Sequence, residues 1–287
     1  MIAVFRHELH SLFHSLVAYV CGAFLLAFIG VGAMLYNIQE SVSNFEFVLG
    51  FGSIILAIVV PLLTMRVLSE ERKQKTDQLL YALPLSTTEI ILGKYLALLT
   101  AFSIPVAVIL AYPLVFDHFG DVYLPTSYGA ILAFFLVGAA LIALGVFISS
   151  LTENQGLAAG VGIAVCLFEY YSVQLAEHVS ATALGSAISF IVLALLLGAL
   201  IRHLTQNENL SMYVSLGLSA AVVIAFFVDA GLFEGLLPRL MTEISLFDRL
   251  YVFVNGMFDV TGIVYFLSFI GFFLFLSVQS MEKRRYN

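Results

Sequence analysis

Ionisable side chains that could do chemistry are few in this chain, and five of its twelve Lys and Arg residues stand within 66–94. Glu70, Glu71, Arg72, Lys73 and Lys75 crowd one short stretch, with Arg66 before it and Lys94 after it. Where polar surface is this scarce, a concentrated charged loop is the natural place to meet another protein. A second cluster is His7, His10 and His14, whose i, i+3, i+7 spacing puts three imidazoles on one helical face as a metal site would. No carboxylate or cysteine completes a ligand set on that face, and histidines commonly occupy the polar side of a helix lying on a bilayer, so no metal is expected there. Cys21 and Cys166 lie inside apolar runs, where a thiol packs as a small hydrophobe, so neither a disulfide nor a redox role is indicated. Glu169 is the one acid well inside an apolar segment, beside Tyr170 and Tyr171. It reads either as a boundary residue at the aromatic belt or as a polar point on a substrate path. No Gly-x-x-x-x-Gly-Lys-Ser/Thr loop exists, because the sole Gly-Lys pair, Gly93-Lys94, has Thr88 where the first glycine belongs and Tyr95 after it.

The elements that carry these residues follow from composition. The chain is 61% hydrophobic and 11% charged, with a mean hydropathy of +1.04. So few charges cannot keep a globular surface in water, which makes this an all-α integral membrane protein. About eight segments reach the roughly 20 apolar residues that a crossing requires: roughly 16–36, 47–68, 95–116, 127–149, 157–176, 186–201, 210–228 and 261–280. An even number of crossings puts both termini on one side. All twelve Lys and Arg residues except Arg239 and Arg249 fall on that side, so both termini are expected to be cytoplasmic. Acids mark the opposite loops (Glu40, Glu46, Asp117, Asp121, Glu177 and Asp229 through Asp259), so the net charge of −7 carries no message about nucleic acid. No soluble domain interrupts the chain; residues 1–287 read as a single transmembrane domain retained without signal cleavage.

Outside the crossings, residues 1–15 read as an interfacial helix, with Ile2, Phe5, Leu9, Leu12 and Leu16 in one arc. In the region 66–94, Thr76, Leu79, Leu80 and Leu83 form a stripe at helical spacing, Pro84 stops that helix, and Ser86 with Glu89 offers a capping box for the next. A lone helix of about three turns is marginal in water, so the stripe needs a cover of lipid or of protein. Residues 229–260 read as one or two amphipathic helices at the extracytoplasmic surface, broken near Pro238. Gly156 and Gly160, with Ala158 and Gly162, form a small-residue strip that permits close helix contact, within the subunit or between two subunits.

The loop 66–94 resembles the first coupling region of type 2 ABC transporter permeases. The residues that carry the likeness are Glu71, Arg72, Thr76, Leu79, Leu80 and Pro84, then Glu89, Ile90, Gly93 and Lys94. Lys75 stands where that pattern often has glycine, and Gln78 where it often has glutamate. Phe253, Gly256, Asp259, Tyr265, Leu267 and Ser268, the closing Glu282-Lys283-Arg284-Arg285, and the turn Glu153-Asn154-Gln155 are similar to permeases of the gliding-motility group. Such permeases often have six crossings, so 186–228 looks like an added hairpin.

The resemblance implies a permease subunit in the bacterial cytoplasmic membrane that moves substrate outward. It would pair with a second permease copy or a homologous permease and with cytoplasmic ABC ATPase subunits, and an accessory protein is a further partner. The chain itself would be no enzyme and hold no cofactor, ATP and Mg being bound by the partner ATPase. Its ATPase-coupling residues would be Glu71, Arg72, Thr76, Leu79, Leu80, Leu83, Glu153 and Asn154, while Glu169, Gly156 and Gly160 are candidates for the path or the subunit interface. Two other classes remain: a non-transporting immunity or signalling subunit of an ATPase complex, and an intramembrane protease of the prenyl-protein type. Glu70-Glu71 before Lys75 and His203-x-x-x-Asn207 mimic the protease's motifs, yet no Phe-x-x-x-His occurs anywhere.

Overall fold

The computed structural model describes residues 1–76, 85–205 and 208–286. Among the described residues every regular element is helical, as expected for a chain in hydrocarbon, where each backbone N–H must find its acceptor within its own segment. The order is α1 (Ile2–His14), α2 (Leu16–Ala33, prolonged by a π-helical stretch over Met34–Gln39), α3 (Glu46–Thr64), α4 (Ser69–Gln74), α5 (Thr87–Ile109), α6 (Ala111–Phe119) and α7 (Leu124–Leu151). Then come α8 (Gln155–His178), α9 (Ala183–Thr205), α10 (Glu208–Val228), a 3-10 turn at Ala230–Phe233, α11 (Leu236–Ile244), α12 (Leu246–Val254) and α13 (Val260–Tyr286). Among the described residues seven stretches are long and apolar enough to cross a bilayer: Leu16–Gln39, Glu46–Gln74, Thr87–Phe119, Leu124–Leu151, Gln155–His178, Ser211–Val228 and Val260–Arg284. Ala183–Ala199 is a shorter apolar helix, in the place of the shortest crossing expected from the sequence.

Residues 1–170 and 246–287 form one compact unit. Its centre is the pair α3 and α7, whose apolar windows are 72% and 78% buried, against 22–33% for the other crossings of this unit. Close approach is what places them there. A Cβ at Gly145 of α7 would stand 2.2 Å from Thr64 Oγ1 of α3, and one at Gly138 would stand 2.3 Å from the Phe102 ring of α5. In a membrane, where lipid tails are as apolar as leucine, contact at this distance is what gives helix pairing its strength. The surrounding helices turn large apolar side chains such as Phe24, Ile104, Leu132 and Phe272 outward.

α12 departs from the expectation of a surface helix. Its Leu246, Phe247, Leu250, Phe253 and Val254 are all buried, it packs on α3 and α7, and the Tyr251 hydroxyl donates to Gly50 O at 3.4 Å. The break expected near Pro238 lies at Ser245 instead. Pro238 is the third residue of α11, within the first turn, where a missing N–H forfeits no helical hydrogen bond.

Residues 171–245 form the second unit. Here α9 and α10 pack along each other: a Cβ at Gly198 would lie 2.6 Å from Ser215 Cβ, and the Ser211 hydroxyl donates to Gly198 O at 2.6 Å. Phe233 is buried between Phe190 and Phe226, at ring separations of 6.3 and 5.9 Å. Leu196, Tyr213, Ile224 and Phe227 stay exposed on the outer faces of the pair, as lipid contact would have them.

Candidate functional site

The charged loop is built on one buried cation. Lys94 lies two turns into α5 and is 1% exposed, and its ammonium has three donors to place. Glu71 Oε1 of α4 accepts at 2.7 Å, Glu8 Oε2 of α1 at 3.0 Å, and the backbone oxygen of Val67, in the turn between α3 and α4, at 3.1 Å. One side chain therefore ties together the interfacial helix, the charged helix and a membrane-crossing helix. Burying a charge is costly unless it is paired and fully hydrogen-bonded, and two carboxylates with one carbonyl meet that condition.

The supports can be read off local chemistry. On α1 the inward face runs through Val4, Glu8 and Leu12, with Phe5 and Leu9 of the expected arc packed beside it, whereas the arc's outer members Ile2 and Leu16 are exposed. Gly93 makes the crossing of α1 over α5 possible, since a Cβ there would meet Val4 Cβ at 3.1 Å and Met1 O at 3.2 Å. Ser86 and Glu89 form the expected capping box: Ser86 Oγ accepts from Glu89 N at 3.2 Å and Glu89 Oε2 from Ser86 N at 3.3 Å. At the other flank the buried Ser149 of α7 satisfies the start of α4. Its hydroxyl accepts from Leu68 N at 3.2 Å and Ser69 N at 3.1 Å and donates to Met65 O at 3.2 Å.

Lys75 ends α4 in the left-handed region, φ 57°, the conformation that makes glycine common at a helix C-terminus. Thr76 follows, its N–H and hydroxyl both donating to Glu71 O, at 3.0 and 3.3 Å. Arg72 is buried. Leu79, Leu80 and Leu83, and the stop at Pro84, lie outside the described residues.

Glu153 and Asn154 sit at this same end of the first unit in distinct roles. Asn154 caps α8: its Oδ1 accepts from Gly156 N at 2.9 Å and Leu157 N at 3.3 Å. Glu153 is exposed and accepts a hydrogen bond from the Arg284 guanidinium near the end of α13. That bond and the charge of Arg284 hold its carboxyl below the usual range, with Arg72 and Lys75 adding to the pull. The Ser280 hydroxyl donates to Ser150 O at 3.2 Å. Both chain ends therefore meet the charged loop at one end of the bundle.

Glu169, far along α8, is partly buried and accepts from Leu246 N at 3.4 Å, so it caps the first turn of α12. The small-residue strip divides. Ala158 and Gly162 turn inward, where a Cβ at Gly162 would lie 2.9 Å from Pro61 Cβ, whereas Gly156 and Gly160 are exposed and nothing lies within 4 Å of a Cβ at Gly160.

Residues 24–228, more than two thirds of the chain, match the family model described as "ABC-2 family transporter protein". The chain belongs to the ABC-2 transporter family. The matched stretch takes in α3 through α10, and with them the whole Lys94 site except Glu8. As an ABC-2 family transporter the chain is a multi-spanning permease subunit, a transport component whose family works with ATPase partners. No curated protein matches it.

Three residues at this charged end of the first unit escape a reading by pattern. Glu8 hides on an apolar face of α1. Ser149 is one serine in a helix rich in small residues. Arg284 looks like any basic tail residue. Lys94 and Glu71 did carry a signal, as the basic residue leading into a crossing and as part of the charged loop.

Proposed function

We propose that this permease moves its substrate outward across the bacterial cytoplasmic membrane, driven by a separate cytoplasmic ABC ATPase that grips residues 66–94. The observation that carries the reading is the Lys94 junction, because a push on α4 reaches α5 through Glu71 and α1 through Glu8. Orientation rests on charge. The Lys94 end of the first unit gathers Arg6, Arg66, Arg72, Lys73, Lys75, Lys283 and Arg284, the bias that marks cytoplasmic loops. ATP and Mg would be held by the ATPase, with Glu71, Arg72, Thr76, Leu79, Leu80 and Leu83 at the docking face and Glu153 beside it. The resemblance to the gliding-motility group supports export, a second permease copy and an accessory protein. The outward face of Gly156 and Gly160 suits such a copy, because two backbones can come close there.

The test is reconstitution. The tagged chain, purified in mild detergent, should bring an ABC ATPase with it, and Leu79→Asp with Leu80→Asp should abolish permease-stimulated ATP hydrolysis while leaving insertion intact. Stimulation that survives the pair of substitutions defeats the docking assignment. An ATPase that turns over in vesicles while nothing moves defeats the transport assignment and favours an immunity or signalling subunit.

A further inference from the structure

Residues 1–39 hold a single acid, Glu8, and α1 turns it inward to Lys94. The charge that α1 leaves exposed is therefore basic. Arg6, His10 and His14, at i, i+4 and i+8, form one exposed ridge along the helix. The rings of His10 and His14 lie 3.9 Å apart between centroids, and His14 Nδ1 donates to His10 O at 2.9 Å, which leaves His14 Nε2 for an outside partner. His7 stands off this ridge, on a groove of about 680 Å³ that it shares with Arg66, Glu70 and Glu71.

Position decides what the ridge can meet. Only Ser15, in extended conformation, separates α1 from the crossing α2, so α1 lies at the membrane surface. Ile2 and Leu16, 65% and 78% exposed, give α1 an apolar flank beside the ridge. Phe13 makes an edge contact with Tyr19 of α2, their ring centroids 5.8 Å apart. Tyr19 is exposed, and an aromatic residue in the first turn of a crossing marks the level of the headgroups. A basic ridge bordered by apolar side chains at that level is complementary to lipid phosphate, whereas an acidic protein surface would leave the apolar flank unmatched.

We propose that Arg6, His10 and His14 form a pH-dependent foothold for the phosphate of an anionic phospholipid. Arg6 supplies a fixed charge, and the two histidines add theirs between about pH 8 and about pH 5, the range in which histidine changes charge. Two imidazolium rings in contact repel one another, and a phosphate beside them offsets the repulsion, so protonation and lipid binding reinforce each other. The charged groups on the elements packed against α1 are engaged elsewhere. From α5, Glu89 lies 3.6 Å from the terminal amino group and Lys94 is bonded to Glu8, while α2 carries no charged residue. Arg66, Glu70 and Glu71 face His7 across the groove. Among the described residues no carboxylate pairs with an imidazole of α1.

Native mass spectrometry on the full chain, released from nanodiscs of equal phosphatidylglycerol and phosphatidylcholine, tests this. Retention of phosphatidylglycerol over phosphatidylcholine should rise about tenfold from about pH 8 to about pH 6, the gain that two charges acquired beside an anionic lipid supply. Lysines and arginines elsewhere attract the same lipid but keep their charge across that range, so the rise reports histidine. His10→Gln with His14→Gln, at exposed sites where glutamine keeps the helix, should remove the rise and leave the preference at the higher pH. Arg6→Gln should lower the preference about fivefold at both pH values, the share of one surface charge. A rise that survives the paired histidine substitution, or no rise in the wild-type chain, overturns the proposal. No lipid-dependent rise, with histidine-dependent tightening of ATPase association on acidification in phosphatidylcholine discs, gives the ridge to that protein and overturns it equally.

Discussion

Lys94 places all three of its N–H donors on acceptors from three separate elements, so its replacement is informative in both directions. Lys94→Met leaves Glu8 and Glu71 converging on one another without a cation, and it should lower stability by about 3–5 kcal/mol, read as a fall in the unfolding midpoint in detergent. Changing Glu8 and Glu71 to apolar residues together with Lys94→Met should recover most of that loss, because what costs is the unpaired charge rather than the missing salt bridge. Lys75→Gly should act the other way. It frees a left-handed position from its side chain and should gain about 1 kcal/mol, visible as slower hydrogen exchange over residues 70–76. The sequence announced both residues unequally. Lys75 stood where glycine is common, and the left-handed backbone supplies the reason. Lys94 was legible as a basic residue at the edge of a crossing, but its two carboxylate partners lie 23 and 86 positions away. Periodicity carries no information about pairing over such separations.

The crossings themselves were readable in the sequence, since runs of about 20 apolar residues leave the chain no other solvent, and the Ser86–Glu89 cap was readable because it depends on four adjacent positions. What was not readable is which crossings are central. That depends on glycines meeting particular neighbours, Gly145 with Thr64 above all. Gly145→Ala should push α3 and α7 apart at a cost of about 1–3 kcal/mol, while Gly160→Ala, which meets nothing within 4 Å, should leave the isolated chain's midpoint unchanged. The tie between Glu153 and Arg284 titrates. The carboxyl of Glu153 is held low in the folded chain, so the tie is complete at neutral pH and is lost only as pH falls through that lowered value. A spin label at Lys283 should therefore keep constant mobility on acidification from neutral pH through the ordinary glutamate range and loosen only below it. The inward position of α12 was hidden for a different reason. Its alternation of acids and apolar groups fits a surface helix, and only its contacts with α3 and α7 show that the apolar side meets protein.

At the scale of the whole molecule, the α3–α7 pair is fastened near both extremities. Ser149 holds the turn before α4 at one end. At the other, the buried carboxylate of Glu46 accepts from Thr126 at 3.2 Å and Ser127 at 3.0 Å. One turn from Ser149, Thr64 and Gly145 leave no room to slide. A beam clamped at two points cannot soak up a load by flexing or shearing; it can only swing. Force delivered at the Lys94 end should therefore reappear some thirty ångströms off, about the thickness of the hydrocarbon layer, as a tilt of the Glu46 end, undiminished and without a folding hinge in between. In the proposed assembly with an ATPase and a second permease copy, distances between paired labels along α3 and α7 should stay fixed through an ATP cycle while distances from either helix to that copy change.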